Sequence, residues 1–505
     1  MPRCDSRGIF GCSKPLLSEW EIEAKEVLNG FIRHGFGTWG VPQGVPKCFR
    51  RRGYGQNGLD PLDPKITTHA RRCRRPSDRS GGQAGWAGHK DQTPCRWIGV
   101  NCTWNSYGPV VDSLDLNSIN LSGTLSSRIC SLVRLTEVDV SYNSFTGNIP
   151  KEIGNCSRLQ SLNLQNNQFD GQILSEMGNL SSLTNLNLYN NMFFGPIPED
   201  FGNLSSVIQF MAFINNITGR VPYSIWNLKN LRVFRVGYNG ISGSLPSEIG
   251  GCESLEYLGL ASNELGGNIS KEFGMLRSLT DLILWDNQLS GFIPKELENC
   301  ANLEILALYL NTLVGEIPKL RLETSTTEID FSDNHLSGEI LKEFDQIKGL
   351  CILYLSQNQL ASVIPNEFGN CTNLEILALN ENNLVGKIPG EIGSIKFLRT
   401  LYLHSNELNG TIPREISNLS LATDINFSDN HLSGEIPKEI TKSISNGAVK
   451  GAAKAIIWCK NPEKIQFENW SNLLTTAVIK LSRTAGQFFD LFEQFEPVKP
   501  DGKMD

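Results

Sequence analysis

Along the middle of this chain, apolar residues come in pairs one residue apart, and each pair is followed by a polar break. Leu186 and Leu188, Leu258 and Leu260, and Leu377 and Leu379 all stand in the frame L-x-L-x-x-N-x-L-x-G-x-I-P. Apolar residues at every second place predict a short strand with one buried face. The asparagine of the frame falls at Asn143, Asn167, Asn191, Asn215, Asn239, Asn263, Asn287, Asn311, Asn334, Asn358, Asn382, Asn406 and Asn430. The step is 24 residues throughout, except for one 23-residue step from Asn311 to Asn334. An earlier copy, LDLNSINLSG, carries Ile119 at that place, so the pattern predicts about 14 repeats.

Self-similarity at this period predicts an α/β solenoid. Each coil contributes one short strand with its leucines inward, and neighbouring strands form a parallel sheet on the concave face. No single coil can bury its own apolar face, so neighbours stabilise one another. The asparagine marks the point where the chain leaves the strand. Its amide there can satisfy backbone groups that would otherwise be buried and unpaired, at about 1–3 kcal/mol each. The glycine that follows permits a tight turn.

Charge divides the 505-residue chain into three parts. Residues 1–90 hold 16 Lys+Arg against 8 Asp+Glu, residues 91–440 hold 21 against 38, and residues 441–505 hold 9 against 7. An acidic middle argues against a nucleic-acid partner for the array. Residues 1–90 read as a basic, mostly disordered segment with a helix over 18–33, opened by the capping pair Ser18 and Glu21. Residues 91–112 read as an N-terminal cap and 113–440 as the repeats. Residues 441–505 read as a helical or disordered tail that would cap the open end of the core. No apolar run reaches the 18 or so residues of a membrane helix, and the first residues have no continuous apolar core of the signal-peptide kind.

The phrase DQTPCRWIGVNC (Asp91–Cys102), followed by repeats carrying L-S-G-x-I-P, resembles the ectodomain of plant leucine-rich-repeat receptor-like serine/threonine kinases of the subfamily XI type. GNLSSLTNLNLYNN, SEIGGCESLEYLGLASN and LWDNQLSGFIPKELENC carry the same resemblance. It implies a plant-type leucine-rich-repeat horseshoe or superhelix, in which the Ile-Pro element adds a second layer of short strands. It also implies a cap disulfide between Cys95 and Cys102, with Trp97 packed beside it. The leader, the usual C-terminal cysteine cap, the membrane helix and the kinase domain of that family are not found here. Ile-Pro is lost at Ile173–Leu174, Ile269–Ser270 and Ile340–Leu341.

The sequence predicts no enzyme, no cofactor and no metal site. Gly53, Gly55 and Gly58 match G-x-G-x-x-G, but Arg50–Arg52 rather than a buried strand precede them, and LDPLDP rather than a helix follows. No phosphate-binding loop, H-R-D or D-F-G is present, and the six histidines have no zinc spacing. Cys156, Cys252, Cys300 and Cys371 stand where sister repeats carry leucine, which predicts buried, unpaired core residues. N-x-S/T acceptors at Asn120, Asn155, Asn179, Asn203, Asn216, Asn268, Asn370, Asn409 and Asn418 predict a glycosylated surface.

Residues alternating with the strand leucines are predicted to face the concave side. Tyr189, Phe213, Arg235, Tyr257, Asp281, Trp285 and Tyr309 make up the candidate ligand-binding column, with Tyr354, Tyr402 and His404 in later copies. Exposed aromatic residues in a row mark a surface that meets a partner. The expected function is recognition of a peptide or protein ligand. By resemblance, a co-receptor kinase with similar repeats would join at the C-terminal copies, and the location would be the cell surface or outside it. The alternatives are a secreted inhibitor or decoy of the polygalacturonase-inhibitor type, and an incomplete gene product with no independent function.

Overall fold

A computed structural model describes residues 99–438, apart from 106, 107, 120, 321 and 323–325. The basic segment, the helix expected over 18–33 and the tail from 441 lie outside the described residues. The described residues divide into two compact units, one running to Gln288 and taking in Asn299–Leu303, the other made of Leu289–Glu298 and the residues from Glu304 on.

In the first unit, Val100–Asn105 pairs antiparallel with Gly108–Asp115 and opens a sheet that then continues in parallel. Its later strands are Glu137–Asp139, Ser161–Asn163, Asn185–Asn187, Gln209–Met211, Val233–Arg235, Tyr257–Gly259 and Asp281–Ile283, in chain order. Each is three residues long, with its middle residue buried: Val138, Leu162, Leu186, Phe210, Phe234, Leu258 and Leu282. A second layer of strands follows the turn in each coil, as at Ser144–Gly147, Gln168–Gln172 and Met192–Gly195. This is the layer that the Ile-Pro resemblance implies. Beneath it, Phe145, Phe169 and Phe193 form a buried stack with centroids 5.9 and 6.2 Å apart. The coil then passes through a 3-10 turn such as Glu199–Asn203, entered from the extended Pro198.

The second unit repeats the plan with strands Ile305–Ala307, Glu328–Asp330, Ile352–Tyr354, Ile376–Ala378, Thr400–Tyr402 and Asp424–Asn426, again parallel and in register. The short copy after Asn311 has no 3-10 turn among its described residues, and Leu320, Leu322 and Thr326 are buried there instead.

The asparagine ladder does what the spacing predicts. Asn191 Nδ2 donates to the carbonyls of Leu164 (3.0 Å), Leu188 (3.2 Å) and Tyr189 (3.2 Å), and Oδ1 accepts from the Phe169 N–H at 3.0 Å. One side chain thus joins its own turn to the coil before it. The residue ahead of each ladder position adopts the left-handed region, with φ between 49° and 55°, although none of them is glycine. That conformation costs about 1–2 kcal/mol for an L-residue. The hydrogen bonds of the adjoining asparagine hold the turn in it.

Coil spacing is set on the 3-10 side by small residues. A Cβ on Gly178 would stand 2.4 Å from the Asp200 carbonyl oxygen of the next coil. Gly178→Ala is therefore expected to cost about 2 kcal/mol through overpacking. A denaturant melt would show this as an earlier midpoint, and an unchanged midpoint would mean that the coils can slide apart there.

One cysteine departs from expectation. Cys156 is not an unpaired core residue: it is disulfide-bonded to Cys130, with the two Cα atoms 4.8 Å apart. Cys130 lies 26 residues back, outside the 24-residue column by which the four cysteines were compared, yet within bridging distance once the coils stack. Cys252, Cys300 and Cys371 are buried free thiols as expected. Burial pushes the Cys252 and Cys371 thiols up to about 12 and Cys300 to about 11, which makes them inert packing groups. Cys102 is disulfide-bonded, and its expected partner Cys95 lies outside the described residues.

Candidate ligand-binding site

Register in the first unit brings a set of side chains from successive coils onto one face. Asn187, Met211, Arg235, Gly259 and Ile283 are aligned across neighbouring strands, as are Asn185, Gln209, Val233, Tyr257 and Asp281. Tyr189, Phe213, Gly237, Ala261 and Trp285 each follow two residues after a strand's last member.

Four of the predicted residues form one continuous stack. Tyr189 and Phe213 lie 4.0 Å apart at 15°. The Arg235 guanidinium sits 4.5 Å from the Phe213 ring and 4.7 Å from the Tyr257 ring, so one cation is held between two aromatic side chains. Each contact is of the cation–π kind, worth about 0.5–2 kcal/mol. Together they restrict the guanidinium, a planar group whose shape suits pairing with carboxylates. Gly259 makes the arrangement possible. A Cβ there would meet the Tyr257 ring at 2.8 Å and the Arg235 Cγ at 3.6 Å.

Past Arg235 the face is floored by small residues, Gly237, Gly259 and Ala261. Trp285 stands on its far side, with the Tyr238 ring 5.5 Å away at 80°. Asp281 is half-buried and accepts from the Thr280 hydroxyl at 2.6 Å. Strand alternation places these aromatics in the open, and for two of them the structure corrects that. Trp285 is only 2% exposed and Tyr189 9%, because their broad faces are covered by neighbouring side chains, Tyr238 and Phe213 among them. Phe213, Arg235 and Tyr257 are half-buried, and Tyr309 is half-buried within the second unit. Sequence reasoning missed Tyr238, Gly237 and Gly259. The signal available was the loss of bulk at one strand position, Gly259, and at one position just past a strand, Gly237, where sister coils carry large side chains.

Of the predicted glycan acceptors, Asn155, Asn179, Asn203, Asn370 and Asn418 each end a 3-10 turn and are exposed. Asn216, Asn268 and Asn409 are exposed on second-layer strands, and Asn120 lies outside the described residues. Among the described residues no His/Cys/Asp/Glu group is placed to hold a metal ion, and no helix is long and apolar enough to cross a membrane.

Coils of one short strand and one 3-10 turn, sealed by an asparagine ladder, define a leucine-rich-repeat protein. The Leucine Rich Repeat family matches residues 134–156, 158–180, 182–204, 278–300, 349–371 and 397–419. The chain is a leucine-rich-repeat protein, and parts of it are similar to plant leucine-rich-repeat receptor-like proteins. A stretch of 58 residues, 10% of the chain, is 50% identical to a probable leucine-rich repeat receptor-like protein kinase of Arabidopsis thaliana and covers 5% of it. Among solved structures, the crystal structure of PEPR1–AtPEP1 superposes with a TM-score of 0.67 at 34% identity, over 72% of this chain and 50% of that one. The plant peptide hormone receptor RGFR1 in complex with RGF2 gives 0.58 at 35% identity, over 64% and 56%. A Leptospira interrogans LRR protein gives 0.55 at 31% identity, over 69% and 83%. The chain thus spans about half the length of the PEPR1 and RGFR1 chains and a small fraction of the curated kinase.

Proposed function

We propose that the chain is a ligand-recognition module that holds an extended peptide or protein segment across the sheet of its first unit. The observation carrying this reading is the Tyr189–Phe213–Arg235–Tyr257 stack, contributed by four successive coils and running across the strands. A core has no use for an arginine held between rings on a sheet face, whereas ligand sites favour aromatic anchors beside an oriented guanidinium. One of the solved structures named above supports it, since it is described as a plant peptide hormone receptor in complex with RGF2. On the same reading Arg235 takes an acidic group of the ligand, while the floor of Gly237, Gly259 and Ala261 admits the ligand backbone.

The location that fits is the cell surface or the extracellular space. The Cys130–Cys156 disulfide and the exposed acceptor asparagines are consistent with an exported chain that carries glycans. A co-receptor with similar repeats belongs to this proposal on the resemblance alone. The test is to pan a random-peptide display library on the purified chain, with Arg235→Ala/Tyr257→Ala as the counter-selection. Peptides that prefer the unaltered chain are expected. An absence of enrichment, or equal capture by the double variant, would remove the proposal.

A further inference from the structure

We infer that Phe194 is a seat for a sugar: the first N-acetylglucosamine of a glycan on Asn216 lies with its C–H face on the Phe194 ring. The inference rests on the reading, proposed above, that the chain is exported and carries glycans. It adds which acceptor has a surface built to hold one.

Met192–Gly195 and Asn216–Gly219 are neighbouring parallel strands of the second layer in the first unit. They alternate alike: Phe193 and Ile217 are buried, while Phe194, Asn216 and Thr218 face outward and are exposed. The register aligns Asn216 with Phe194, so about 4.8 Å separates their backbones. A group attached to the Asn216 amide is thus delivered beside the ring. Both register neighbours of Phe194, Gln172 and Asn216, are polar, and the ring remains 47% exposed.

Asn216-Ile217-Thr218 is an N-x-T acceptor. In the secretory route the donor is a lipid-linked oligosaccharide diphosphate. The Asn216 Nδ2 bonds to its anomeric carbon, the bond from that carbon to the phosphate oxygen breaks, the lipid diphosphate leaves, and the amide gives up one proton. The sugar so attached is amphipathic, with hydroxyls round its rim and C–H groups on its faces. Laid on an aromatic ring, such a face removes apolar surface from water and turns weakly positive hydrogens toward the negative ring face. Asn409 has the same placement without the ring. It is exposed on Glu407–Gly410 and aligned with Lys387 on one side and His431 on the other, so a glycan there meets two polar side chains.

The test uses the full chain behind a cleavable secretion leader in cultured plant cells, with glycans held in the high-mannose form. An endoglycosidase then trims each glycan to its first sugar. Glycopeptide mass spectrometry reads occupancy, and hydrogen exchange reads the amides of Met192–Gly195 and Asn216–Gly219. Thr218→Ala keeps Asn216 but removes the acceptor, and should speed exchange there about fivefold, the equivalent of uncovering roughly 40 Å² of ring. In a Phe194→Ala background the same change should make no difference, whereas Phe194→Tyr should keep the fivefold effect. Thr411→Ala, which removes the Asn409 acceptor, should leave exchange in Glu407–Gly410 unaltered. The inference is overturned if Asn216 is bare while Asn409 is occupied, or if Thr218→Ala acts equally with and without the ring. It is also overturned if Thr411→Ala speeds its own strand as much, since the sugar would then need no aromatic neighbour. A chain bare at every acceptor is a different result, because it removes the reading of a glycosylated, exported chain and this inference with it.

Discussion

Asn358→Ala is expected to lower the unfolding free energy by about 3 kcal/mol. The Asn358 side chain is buried, and its Nδ2 donates to the carbonyls of Phe331 (2.9 Å), Leu355 (3.3 Å) and Ser356 (3.0 Å). Its Oδ1 accepts from the Leu336 N–H at 2.9 Å. Alanine leaves three acceptors and one donor in a place that water reaches poorly, each worth about 1–3 kcal/mol if fully orphaned. Relaxation and entering water offset part of that sum. Asn358→Asp makes the sharper comparison because the shape hardly changes. A carboxylate keeps the bond from Leu336 but turns negative oxygen toward three carbonyls, so it should be at least as destabilising at neutral pH. That excess should shrink on acidification, when the protonated carboxyl regains one donor. Urea melts at pH 7 and pH 4, each read against the unaltered chain at the same pH, decide the matter. If alanine melts with the parent midpoint, the ladder is ornament and the leucines alone hold the coils.

Arg235→Ala is expected to reduce affinity for peptides recovered by panning about 100-fold, the scale of an interface residue worth somewhat over 2 kcal/mol. Arg235→Lys should recover little of this. An ammonium group keeps the charge but has neither the flat faces that Phe213 and Tyr257 cover nor the fork that meets a carboxylate in two places. Titration of the two variants with one selected peptide separates the terms. A lysine variant that binds like the parent would mean that a point charge suffices and the sandwich is incidental. Trp285→Ala is a poorer probe, because a side chain only 2% exposed reports on packing before it reports on a ligand. Truncating it is expected to cost stability as any buried aromatic does.

The sequence by itself determined the coil. A leucine pair one residue apart, an asparagine at a constant step and a glycine after the turn are local facts. Stacking identical coils leaves few ways to satisfy them. Asn191 and Asn358 therefore do what their spacing predicts. The unpaired thiols Cys252, Cys300 and Cys371 were legible for the same reason, since a column of leucines predicts what occupies the column.

Tertiary structure decided whatever depends on neighbours out of column. Cys130 reaches Cys156 because the turn coils pack sideways, a relation the 24-residue step does not encode. The order within the candidate site was also hidden. Alternation predicts which face Tyr189, Phe213, Arg235, Tyr257 and Trp285 occupy, but not that Arg235 lies between two rings or that Trp285 is covered. Those outcomes depend on which rotamers the small residues Gly237, Gly259 and Ala261 leave room for. Side-chain choices of this kind are settled by packing between coils, and periodicity along one chain carries no record of them.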